Sequence, residues 1–154
     1  MKKIILAIIL FGSFTTYSQL EKTVLKTFTF EEVEKLHQQK PKPIVVFLHT
    51  DWCKFCFGMN KTTFKNNKVI KLLNDNFYFV KFNGEEKKDI TFLGKIFTYK
   101  PTGTNTGIHQ LANELASKNG RITYPTTIIL NSKFEINLQL SGYLNSKDFI
   151  RILK

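Results

Sequence analysis

The two cysteines of this chain stand three positions apart in Thr50-Asp51-Trp52-Cys53-Lys54-Phe55-Cys56-Phe57-Gly58-Met59, a stretch that also holds its single tryptophan. Such a pair can staple a fold, grip a metal or exchange electrons with another sulfur. A staple fits poorly. It would close a loop of only two residues, whereas the stabilisation gained by cross-linking grows with loop length. Small disulfide scaffolds also use four or more cysteines. A closed zinc site needs two further ligands, yet there is no second cysteine pair, and His37, His49 and His109 are far apart in sequence. His49 is near enough to matter but reads equally as a satisfied core side chain. No metal and no other cofactor is expected.

The redox reading explains more. A thiol at the first turn of a helix meets the positive end of the helix dipole and unpaired backbone N–H groups, both of which favour thiolate. Cys53 is that thiol, and Lys54 adds a neighbouring positive charge. Cys56, one turn later, lies on the same helix face and can reach Cys53 without backbone movement. Cys53 would attack a disulfide, and Cys56 would resolve the mixed disulfide.

The flanking elements must hold the pair in that setting. Ile44-Val45-Val46-Phe47-Leu48-His49 is a continuous apolar run, the pattern of a strand buried on both faces, and the cysteine segment starts where it ends. Before it, Thr29-Phe30-Glu31-Glu32 has the capping-box pattern of a helix running to about Gln38, and Pro41-Lys42-Pro43 stops it. Residues 23–28 read as a short strand or extended arm. Helical spacing recurs over 54–61 and 66–74, with a break at Thr62-Thr63, and 77–82 returns to strand character. Residues 88–99 read as an inserted β-hairpin turning at Leu93-Gly94, and 101–107 as a loop. A helix follows, buried through Ile108, Leu111, Ala112, Leu115 and Ala116 and stopped at Asn119-Gly120. Residues 123–130 and 134–140 form an antiparallel hairpin, and Asn145 caps a last helix. The order predicts an α/β fold, a central mixed sheet flanked by helices on both faces, with the cysteines at the carboxyl edge where such sheets place their chemistry.

The chain opens with Lys2-Lys3, eight apolar residues (4–11) and a small-polar stretch ending at Ser18-Gln19. This is the pattern of a cleavable signal peptide over 1–18, too short in its apolar part to span a bilayer, leaving one domain over 19–154 that is periplasmic or secreted and not stably inserted in a membrane. An oxidising compartment gives a dithiol pair a use. The formal charge is +11, and loss of the leader removes two lysines and no acid. The lysines are scattered rather than concentrated on one basic face, so nucleic acid is not an expected partner. The charge serves mainly solubility, with attraction to polyanions or membrane surfaces a minor role.

Trp52-Cys53-Lys54-Phe55-Cys56 after a buried strand, with Tyr124-Pro125-Thr126 opening a later one, resembles the thioredoxin-like superfamily. His49-Thr50-Asp51-Trp52-Cys53-Lys54-Phe55-Cys56 followed by Met59 and Thr63-Phe64 is similar to envelope thioredoxin-related proteins and to the C-terminal thioredoxin domain of the transmembrane disulfide reductase. The resemblance covers about residues 25–154. It implies a thioredoxin-like fold and a thiol–disulfide oxidoreductase, a reductase or isomerase more than an oxidant. Its partners are protein thiols or disulfides and a membrane-bound electron donor. It makes Cys53 the nucleophile, Cys56 the resolving thiol and Cys53–Cys56 the active disulfide. It also makes Pro125 a cis-proline, gives Tyr124 and Trp52 to substrate binding, and leaves Lys54 and Phe55 to tune the potential. The family's thioredoxins carry a buried Asp six residues before the first cysteine, where this chain has Phe47; His49 and Asp51 are the nearest candidates for its proton-transfer role. The hairpin at 88–99 is an addition to the minimal fold, expected to cover a sheet edge. The rival reading is a non-catalytic binding module of the same fold, docking a partner through residues 84–107.

Overall fold

The computed structural model describes residues 23–154; the expected leader, 1–18, lies outside them. The chain begins with α1 (Phe30–Gln39), β1 (Ile44–His49), α2 (Lys54–Lys61), a 3-10 turn (Thr63–Lys65), α3 (Asn67–Asn76) and β2 (Tyr78–Asn83). Two small hairpins follow, β3 (Ile90–Phe92) with β4 (Lys95–Phe97) and β5 (Tyr99–Pro101) with β6 (Gly107–His109). The chain ends with α4 (Gln110–Ala116), β7 (Thr126–Leu130), β8 (Ile136–Ser141) and α5 (Ser146–Ile152).

The main sheet has the order β2-β1-β7-β8, with β2 parallel to β1, β7 antiparallel to β1 and β8 antiparallel to β7. β1 is central, which is why its sequence is unbroken apolar. Ile44, Val46 and Leu48 enter one core layer with residues of α1, α4 and the first hairpin. Val45 and Phe47 enter the other with residues of α2, α3 and α5. Helices therefore cover both faces, and the fold is thioredoxin-like.

Local signals set the helix ends. Thr29 Oγ1 accepts the N–H of Glu32 at 3.2 Å while Glu32 Oε2 accepts that of Thr29 at 2.8 Å, so two otherwise unpaired donors at the start of α1 are satisfied together. Asn66 and Asn145 cap α3 and α5 with side-chain oxygens that accept backbone N–H groups of the first turn. Residues 23–28 form an extended arm whose last residue, Phe28, makes a parallel bridge to Val80 on β2.

Two expectations need correction. The stretch 101–107 is not simply a loop. It belongs to the second hairpin, which takes Tyr99 out of β4 and pairs it with His109; Gly107 packs so closely under the Tyr99 ring that a side chain there would collide. α4 ends at Ala116, before Asn119-Gly120. Those two residues instead turn the chain between Lys118 and Arg121, with φ of 52° and 74°, a use of Asn-Gly that suits a tight turn as well as a helix stop. The 88–99 hairpin forms a two-stranded sheet apart from the main one, with Ile90 and the β2 edge residues Val80, Lys81 and Phe82 lining one pocket. It lies on α1, where Glu31 Oε1 accepts the N–H of Thr91 at 3.3 Å and Glu34 Oε2 that of Leu93 at 3.1 Å. Its Phe92 and Phe97 are buried in the α1 layer of the core. The carboxylates on α1 gave no sign from sequence of the backbone they serve.

Candidate functional site

Where β1 ends, Thr50 is buried and its carbonyl accepts the N–H of Cys53 at 3.3 Å, closing a tight turn. Cys53 then occupies the N-cap of α2, and its Sγ accepts the N–H of Cys56 at 3.1 Å. Cys53 and Cys56 form a disulfide with a Cα–Cα distance of 5.2 Å. The acceptor role of Cys53 Sγ bears directly on chemistry. An N-cap position presents unpaired backbone donors and the positive end of the helix dipole, and both stabilise a sulfur anion once the bond is reduced.

Both sulfurs are sheltered. Cys56 is 1% exposed and Cys53 6%, with Cys56 and Met59 pointing into the core layer beneath. Around them the surface is aromatic. Trp52 is 65% exposed and Phe55 67%, so the two residues that bracket Cys53-Lys54 stand out from the protein. The Trp52 ring meets Tyr124 edge-on at 5.7 Å between centroids, and its Nε1–H donates to Glu85 Oε1 at 3.1 Å. The Tyr124–Pro125 bond is cis. Pro125 is held by its carbonyl, which accepts the N–H of Gly142 at 2.8 Å. The Tyr124 hydroxyl is buried with no hydrogen-bond partner among the described residues, against Gly84. Burial and then the Glu85 charge push its pKa up to about 12.

The sequence candidates for moving a proton are less favourably placed. Asp51 is exposed and its Oδ2 accepts Asn83 Nδ2 at 3.4 Å. His49 is half-buried with its ring stacked on Phe47 at 5.8 Å. Burial, then the Lys81 charge, lowers the His49 pKa below the ordinary histidine value, so near neutral pH it is an uncharged imidazole. Phe47 itself is fully buried, its ring 4.7 Å from Phe64, and no carboxylate occupies that position. Lys54 is exposed at the start of α2.

Four contributors escaped the sequence reading. Glu85 is joined to Trp52 only through the folding of β2 back to the redox turn. Gly84 donates its N–H to His49 O and accepts that of His109 at its carbonyl, both at 2.8 Å, so it ties the inserted segment to the end of β1. Phe57, next to Cys56 in sequence, and Tyr143, which lies over Gly58 further along α2, are exposed aromatics, 63% and 43% exposed. Of these only Phe57 had a signal in the sequence, since helical spacing puts it opposite Cys56 and Met59.

Comparison with known proteins agrees with the architecture. A family model described as a thioredoxin-like domain matches residues 30–154. An uncharacterized protein of Caenorhabditis elegans is 36% identical over 62 residues, which is 40% of this chain and 8% of that protein; the chain thus spans a small part of that relative's length. Among solved structures, a DsbH oxidoreductase superposes with a TM-score of 0.61 at 12% identity, over 92% of this chain and 90% of the other. A thioredoxin from Thermus thermophilus gives 0.58 at 20%, over 84% of each chain. The reduced C-terminal domain of DsbD from Neisseria meningitidis gives 0.52 at 18%, over 79% and 87%. At these identities the superpositions speak for the fold alone, and together with the family match they place the chain: it belongs to the thioredoxin-like domain family.

Proposed function

We propose that this chain is an exported thiol–disulfide oxidoreductase that works as a reductase or isomerase, with Cys53 as nucleophile and Cys56 as resolving thiol. The observation that carries the reading is the position of Cys53 at the N-cap of α2, its Sγ taking the Cys56 N–H at 3.1 Å while bonded to Cys56 Sγ. In the reduced protein the Cys53 thiolate attacks one sulfur of a substrate disulfide. That bond breaks, a substrate thiolate leaves and takes a proton from solvent, and a mixed disulfide remains. The Cys56 thiol loses its proton and attacks Cys53 Sγ, which forms Cys53–Cys56 and releases the second substrate thiol. In a reduction two electrons pass from the protein dithiol to the substrate, so each reductive turnover needs an external dithiol, such as a membrane-bound donor, to reduce Cys53–Cys56 again; isomerisation returns the dithiol unchanged.

Other residues take supporting roles in this reading. The backbone of Tyr124 next to Pro125 pairs with the extended substrate chain, and Trp52 lines the groove. Lys54 and Phe55 set the potential. With Phe47 in place of a carboxylate, the Cys56 proton leaves through water or through His49. The leader at 1–18 would deliver the domain, 19–154, to an oxidising compartment.

The experiment is an equilibrium redox titration of the mature protein against glutathione, with Cys53→Ala as the blank. A reversible two-electron transition near −270 mV would mark a reductase, and one near about −120 mV an oxidant. If no transition appeared, the redox reading would fall and a binding module would take its place.

A further inference from the structure

Beyond Lys54 the outward face of α2 has no part in the exchange chemistry, yet it carries a pattern. Lys54, Phe57 and Lys61 share one stripe by their i, i+3, i+7 spacing, opposite Cys56 and Met59, which are buried. Phe57 is 63% exposed, and Lys61 Nζ lies 5.2 Å from its ring centroid. Beside the stripe, Tyr143 lies over Gly58 and its hydroxyl meets Thr62 Oγ1 at 3.0 Å. Its loop is fixed in place, since Thr63 Oγ1 donates to Leu144 O at 2.7 Å. At the far end of α2, Asn60 and Lys65 enter a groove of about 400 Å³ whose opposite wall includes Leu25 and Lys81.

Charge is divided across the disulfide. From Cys53 to Asn74 the chain has five lysines and no acid; one of the five, Lys71, is paired with Asp75 at 2.7 Å. The acids near the disulfide sit on the other flank, where Asp51 meets Asn83 and Glu85 meets Trp52. A chain laid along α2 therefore passes Phe57 with the Lys61 ammonium over its ring and Tyr143 between Gly58 and Thr62, and then meets Lys65.

We infer that this face of α2 is the docking track for an acidic polypeptide partner. The partner's cysteine meets Cys53, an apolar side chain beside it rests on Phe57 and Tyr143, and carboxylates further along face Lys61 and Lys65. α2 rises about 12 Å over its length, and an extended chain advances about 3.3 Å per residue, so the carboxylates belong three to five residues from the partner's cysteine. The inference rests on the exchange reading and adds the class of partner to it. Attraction between exposed charges is screened over about 8–10 Å at ordinary salt, so the preference is a matter of encounter rate and depends on ionic strength.

The test uses the reduced mature protein and two disulfide-bearing peptides of equal length. Both have Phe beside the cysteine, and four residues on one carries three Asp and the other three Lys. At low salt the Asp peptide should be reduced about tenfold faster, and the gap should close at about 0.5 M salt. Exchanging both Lys61→Glu and Lys65→Glu should reverse the order, slowing the Asp peptide and speeding the Lys peptide, a result that misfolding cannot produce. Hydroxyethyl disulfide, uncharged and too small to use the track, reports the chemistry separately. If the wild type fails to reduce it, the exchange reading is what fails. If it is reduced but the two peptides react alike, or the double variant slows both equally, the docking track is wrong. Loss of binding to anionic phosphatidylglycerol vesicles in the double variant, with peptide preference unchanged, would overturn the inference in favour of a membrane surface.

Discussion

Trp52 donates its indole N–H to Glu85 Oε1 at 3.1 Å, across 33 positions of sequence. The bond joins the turn that carries Cys53 to the root of the segment inserted after β2. It also fixes the direction of a ring that is 65% exposed and would otherwise be free to swing beside the disulfide.

Glu85→Ala should therefore loosen Trp52 without unfolding the protein. Trp52 is the single tryptophan, so fluorescence reads it directly: acrylamide quenching should rise, and the apparent KM for a peptide disulfide should increase about twofold, the effect of ~0.5 kcal/mol for an exposed hydrogen bond. Glu85→Gln keeps an acceptor oxygen and should restore most of both. Unchanged quenching in the alanine variant would mean the ring is held by Tyr124 alone.

Gly84 makes the same joint rigid from below. A Cβ there would collide with the Tyr124 ring and hydroxyl, both partly enclosed. Gly84→Ala is expected to cost ~1–3 kcal/mol by overpacking, seen as a lower urea midpoint. Pairing it with Tyr124→Val removes the obstructing ring, so the double variant should be more stable than the sum of the single losses predicts. Simple additivity would show that the collision is relieved elsewhere.

The sheet, the cysteine turn and most helix caps were legible because they rest on local rules. The apolar run of β1, the capping box of Thr29 and Glu32, and the strand-to-helix placement of Cys53 are each written within a few residues. What was not legible depends on distant partners. Glu31 and Glu34 look like ordinary surface acids of α1, yet they accept backbone N–H groups about 60 residues away. Asn119-Gly120 serves either a helix stop or a tight turn, and only the pairing of Lys118 with Arg121 decides. Glu85 and Tyr143 reach the site through chain reversals that no periodicity records. The orientation of Tyr124 over Gly84 likewise needs the packed fold.

Phe47 stands where the sequence resemblance leads one to expect a buried Asp, and its burial makes the difference costly to reverse. Phe47→Asp would strip a fully buried ring from between Phe64 and His49 and put an unpaired carboxyl in its place. A loss of more than about 4 kcal/mol is expected, from the cavity and the buried polar group together. Phe47→Leu, apolar and somewhat smaller, should cost nearer ~1–1.5 kcal/mol. Chemical denaturation measures both. A well-folded Phe47→Asp protein would show that water or a cation reaches this site after all.

His109 gives a prediction in pH. It is fully buried at the N-cap of α4, where Nδ1 accepts the Leu111 N–H at 3.2 Å. An amide N–H can only donate, so Nδ1 is the bare nitrogen, and Nε2–H donates to Lys88 O at 3.2 Å. Protonation would place a second N–H against the amide and charge a buried ring. Burial is the main reason its pKa lies below the ordinary value of 6.5, opposed by the hydrogen bond to Lys88. Because the folded-state pKa is the lower one, the stability linked to it is complete above 6.5. It is lost as pH falls from there through the folded-state value, and changes no further below that. The urea midpoint should fall as the pH drops below about 6.5, and less so in His109→Asn, which keeps a capping acceptor that does not titrate. Half-buried His49 is lowered in the same direction and leaves a residual slope in that variant. Nitrogen-detected NMR at pH 6.5 settles the protonation state: one protonated and one bare ring nitrogen is expected for His109, and a doubly protonated ring would sink the assignment.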